Sequence, residues 1–101
     1  MTALKIPKEI EIGGRIITIK VDPNLDDFGQ YHADDRKILL GHKATLSKAV
    51  LIETIRHEMV HVALDIGGLS YIKTYEEEAI VRCLDTLFHP AWEKVRQTLV
   101  K

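Results

Sequence analysis

The chain has 101 residues, of which 46% are hydrophobic and 29% charged, and a formal charge of −1. That length supports one domain with a single modest core, and the near-neutral balance argues against a nucleic-acid partner held through a basic face. Cys83 is the only cysteine, so no internal disulfide forms. Lys5, Lys8 and Glu9 interrupt any apolar signal core, and no run approaches the length of a membrane span. The expectation is a cytoplasmic protein with no membrane partner.

Residues 1–8 read as a lead-in, with Pro7 blocking regular pairing. Glu9 to Ile12 alternates charged and apolar residues, the period of a half-buried strand. Gly13-Gly14 is a two-residue turn signal, and Arg15 to Val21 resumes strand composition. Asp22-Pro23-Asn24 ends that hairpin. A second hairpin is expected from Gly29–His32 and Arg36–Leu40 around the turn residues Ala33-Asp34-Asp35. Together these predict a small, mostly antiparallel sheet.

From about Leu46 to Ile66 the period changes. Leu51, Ile52, Ile55, Met59, Val62, Ala63 and Ile66 recur at three- and four-residue steps, which predicts a long amphipathic helix. Thr45 or Ser47 can cap its start, and Gly67-Gly68 ends it, with Gly67 suited to the position just past the end. Thr74 and Glu77 fit a capping box opening a second helix, with Ile80, Cys83, Leu84 and Leu87 as its apolar stripe. His89-Pro90 should break that helix, and Pro90 suits the first turn of a third, anchored by Trp92, Val95 and Leu99.

The chemistry concentrates at His57-Glu58-Met59-Val60-His61, an H-E-x-x-H pattern. Histidines four apart share a helix face, so both imidazoles can reach one metal. Glu58 lies beside them, where it can take a proton from a water on that metal. A shuffled chain of this composition carries the pattern about 2 times in 100, so its neighbours must decide. At 100° per residue, His57 and His61 fall nearly opposite the apolar stripe, with Glu58 on its flank. They are therefore solvent-facing residues or the lining of a cleft.

A catalytic zinc takes about three protein ligands and an open position. Asp65 lies two turns from His57, about 12 Å along the axis, and suits a carboxylate that orients an imidazole, or a helix-end role. Glu76-Glu77-Glu78 opens the next helix, which should lie antiparallel to the first. Glu78 points away from its own helix's apolar stripe and is the favoured third ligand, with Glu77 as the alternate. Asp85 and His89 are further downstream candidates. Tyr31, Tyr71, Tyr75 and His32 are candidate donors to an oxyanion, and His32, His42 and His89 also read as surface or turn residues.

With this motif and the acidic run, the chain resembles a small zincin metallopeptidase of the gluzincin kind, whose third ligand is a glutamate on a following helix. Glu78-Ala79-Ile80 resembles the start of the glutamate helix in thermolysin-like enzymes. The order of elements resembles the ImmA/IrrE-type metallopeptidases of bacteria, phages and mobile elements, with Gly29-Gln30-Tyr31 as edge strand and Ile38-Leu39-Leu40 as the next. The Glu-x-x-Ala-Asn signature of that group is absent here. The resemblance implies an α+β, zincin-like domain and a bacterial or phage-encoded endopeptidase acting on a protein or peptide. It implies Zn²⁺ on His57, His61 and Glu78, with Glu58 as general base. The alternatives are a non-hydrolytic metal-binding regulatory domain that keeps the fold, and an interaction module with a fortuitous motif. Oligomeric state is not encoded in any of these features.

Overall fold

The structure, a computed structural model, describes residues 5–69 and 72–99. Four strands, β1 (Glu9–Ile12), β2 (Arg15–Asp22), β3 (Gly29–His32) and β4 (Lys37–Gly41), form one sheet in the order β1-β2-β4-β3. A 3₁₀ turn (His42–Thr45) leads into α1 (Lys48–Ile66). Then follow α2 (Thr74–Cys83), a π-helical turn (Leu84–Phe88) and α3 (His89–Leu99).

Both expected hairpins are present. Gly13 and Gly14 hold φ values of 57° and 77°, the left-handed pair that a tight two-residue turn between right-twisted strands requires. The hairpins meet through a parallel pairing of β2 with β4, so the sheet is mixed, with two antiparallel pairings out of three. Residues 23–28 carry the chain from the end of β2 across the end of β4 to start β3. Gly41 makes that crossing possible, because a Cβ there would collide with the backbone carbonyls of Leu25 and Asp27. Periodicity assigns each strand a face but says nothing of which strand lies beside which.

Alternation on the central strands points Ile17, Ile19, Ile38 and Leu40 to one face, where they close with Ala44, Leu51 and Val62 of the helical layer. Fully burying such a side chain is worth about 1.5–3 kcal/mol. α1 starts where Ser47 accepts a bond from the Val50 amide, 3.1 Å. At its other end Gly68, not Gly67, takes the left-handed conformation, with φ of 84°. Gly68 N–H donates to Asp65 and Leu69 N–H to Leu64, the paired bonds of a Schellman stop.

The helical layer departs from expectation in α1, at the start of α2 and at the α2–α3 join, and the predicted apolar stripes of α2 and α3 are largely exposed. Ile52 and Ala63 of the predicted α1 stripe face outward, while Thr54 and Glu58 are buried on the sheet side. The capping box does not form, since Lys73 precedes α2 and no side chain caps it. His89-Pro90 does not break the helix. Proline has no N–H and its ring crowds the carbonyl four residues back. The π turn absorbs this, with His89 N–H donating five residues back to Leu84, and the helix continues into α3.

Candidate metal centre

His57 and His61 project from the middle of α1 toward α2 and the π turn. His57 Nδ1 donates to Asp85 Oδ2 at 2.6 Å, and His61 Nδ1 donates to Glu77 Oε2 at 3.0 Å. A carboxylate only accepts, so the Nδ1 of each imidazole donates, and each Nε2 faces away from that partner. The pairs 57–85 and 61–77 run in opposite chain directions, which is the antiparallel approach expected of these helices.

His57, His61 and Glu78 form a group that could hold a metal ion, with one donor atom from each lying within 4.8 Å of the others. Glu78 Oε1 lies 3.2 Å from His61 Nε2. That separation suits two corners of a tetrahedron around an ion with arms of about 2.0–2.1 Å, whose edge is about 3.3 Å. The donor chemistry also fits. Two imidazoles, each backed by a carboxylate on Nδ1, are the usual preparation of histidine for a divalent metal.

The two glutamates approach His61 from different sides. Glu78 reaches the open nitrogen side and Glu77 the back of His61. Asp85 was missed as a supporting residue. Its signal was its spacing, seven residues and two helical turns after Glu78 on the same face. Asp65 does not orient an imidazole, because its carboxylate accepts the Tyr31 hydroxyl at 2.7 Å.

Glu58 is only 6% exposed. It lies under Gly29 of β3, where a Cβ would come 3.2 Å from Glu58 Cγ and 2.9 Å from Thr54 Cγ2. Glycine at that place is what lets the edge strand close over the carboxylate. Burial pushes the Glu58 carboxyl above the usual carboxylate range, opposed by His57 and His61 and assisted by Glu78 and Asp27. A proton acceptor raised in this way is better matched to work near neutral pH.

Two open clefts, of about 740 and 410 Å³, meet at Gly29, His57 and Glu58. The larger is walled by Phe28, Val50, Thr54, Asp85 and Pro90, the smaller by Gln30, Tyr31, His32, His61 and Glu78. Both lie along β3, an edge strand of the sheet.

The tyrosines separate. Tyr31 lines the smaller cleft, but its proton is given to Asp65, and its pKa is pushed up to about 12 by burial and by that hydrogen bond and charge. It therefore does not serve as a free oxyanion donor. Tyr75 is 68% exposed, stands beside Lys73 and lines neither cleft, so it is not placed for that role. Tyr71 lies outside the described residues. His32 lines the smaller cleft, with Nε2 3.0 Å from Gln30 Oε1. His89 and His42 lie outside the ligand group. Trp92 is 45% exposed rather than an internal anchor.

No described helix is long and apolar enough to cross a membrane. Comparison with protein-family models, curated proteins and solved structures found no match to this chain.

Proposed function

We propose that this chain is a zinc-dependent endopeptidase of the gluzincin kind, cutting a protein or peptide laid along β3. The observation that carries the reading is the buried Glu58 between a prepared His57–His61–Glu78 triad and the junction of two clefts. His57 and His61 Nε2 and a Glu78 oxygen would hold the ion, leaving one position open. A zinc ion bound there supplies Lewis acidity, lowering the pKa of water toward ~7 and polarising a carbonyl.

The remaining work falls to the protein. Glu58 accepts the proton of the attacking water and returns it to the leaving amine. Asp85 and Glu77 hold the imidazole rings in place through Nδ1. Gly29 keeps the carboxylate in place while admitting extended substrate at the free edge of β3, whose backbone groups can pair with it.

The test compares wild type with Glu58→Gln on a proteome-derived peptide library read by mass spectrometry, with zinc measured by elemental analysis. Both proteins should bind one zinc per chain, and only wild type should cleave. A protein that takes up no zinc after reconstitution refutes the metal site. A zinc-loaded wild type that cuts nothing refutes the peptidase and leaves the metal-binding regulatory domain.

A further inference from the structure

α3 buries none of its residues, and its contacts run chiefly to the adjoining π turn. Its apolar residues are nevertheless in register. Trp92, Val95 and Leu99 recur at three- and four-residue steps and are 45%, 50% and 70% exposed. Leu87 and Phe88 of the π turn extend the strip, and Ile80 adds its α2 end. In an unbroken α-helix Ile80 and Phe88 would be rotated apart by about 80°. The extra residue taken up by the π turn returns them to within about 20°. The π turn thus aligns one apolar strip over both helices.

These six side chains present roughly 700 Å² of surface, above the ~300–600 Å² of the largest patch on a typical monomer and near the ~800 Å² each partner gives to a standard interface. We propose that this strip is a homodimer interface. Two copies lay α2–α3 antiparallel across a two-fold axis near Leu87 and Phe88.

The strip is self-complementary in that arrangement, as a two-fold interface requires. Turned end for end, Ile80 meets Val95 and Cys83 meets Trp92. Glu76, in the first turn of α2, comes within one turn of Arg96 of the second copy at each end. A lipid surface fits less well. A helix lying in a membrane interface carries Lys and Arg around its polar side, whereas Thr74–Leu99 has five Asp and Glu (Glu76, Glu77, Glu78, Asp85, Glu93) against three Lys and Arg (Arg82, Lys94, Arg96).

Analytical ultracentrifugation of the whole, zinc-loaded chain tests this by mass rather than by cleavage, so its outcome is separate from that of the peptidase reading. Wild type should dimerise with rising concentration. Trp92→Glu and Val95→Asp should each weaken association by ~30-fold or more with unchanged circular dichroism. In a Cys83→Ser background, Leu87→Cys should form a disulfide-linked dimer on oxidation. A wild type that stays monomeric at its highest soluble concentration overturns the proposal. So does a dimer that survives both charge substitutions, or one that gives no cross-link at position 87.

Discussion

α1 and the α2–α3 helix use their apolar residues in opposite ways. α1 buries Leu51 and Val62 against the sheet and turns its histidines toward the cleft. α2 turns Glu77, Glu78 and, through the π turn, Asp85 inward to meet those histidines. Its apolar residues Ile80, Leu87 and Phe88 are left outside, and Val81 alone of α2 is fully buried. The inward face of a helix is not always its greasiest one. Where five charged or imidazole groups find partners together, satisfying them can set the orientation, because an unpaired buried polar group costs more than an exposed leucine.

The largest effect expected on this contrast is at the ligand itself. Glu78→Gln should weaken zinc binding by more than ~100-fold, whereas Glu77→Gln and Asp85→Asn, which act through the imidazoles, should cost ~10–100-fold each. Competition with a chromophoric chelator measures all three. A larger loss at Glu77 than at Glu78 would exchange their roles. The contrast in burial comes next. Leu51→Ala should cost about 2–5 kcal/mol in urea unfolding. In dilute solution, where copies do not meet, Leu99→Ala should stay within about ±0.5 kcal/mol.

Gly29→Ala should leave zinc binding intact and lower the cleavage rate by up to ~100-fold, because its new methyl displaces Glu58 from the reacting water. Steady-state kinetics beside a zinc titration would separate the two effects.

The smallest effect concerns pH. Tyr31 donates to Asp65 only while protonated, and its pKa is raised from 10.0 to about 12. The stability from this contact is complete below pH 10 and is lost as pH rises through about 12. Ultraviolet titration should show one of the three tyrosines ionising late, and Asp65→Asn should bring it back toward the others.

Much of this was readable in one dimension. The hairpin at Gly13-Gly14, the limits of α1 and the His57–His61 pair depend on neighbours within a turn or two, where backbone geometry leaves little choice. The acidic run was readable as the source of a third residue that could hold a metal ion for the same reason. The burial of Glu58 was not, because it depends on Gly29 arriving from a strand 29 residues earlier. Asp65 and Asp85 were equally opaque: one was expected on an imidazole or at the helix end and met a tyrosine, while the other was weighed only as a ligand and met His57.

By itself, then, the sequence determined which segments are strands and helices, and which residues could hold a metal ion. Hydrophobic period, turn residues and i,i+4 spacing act locally and leave their mark in the chain. Tertiary structure alone decided the parallel β2–β4 join, the continuous π-bulged helix, the partner of each carboxylate and the outward apolar strip. Each of these depends on two distant segments meeting, and a side chain's best partner is set by where the other segment lands.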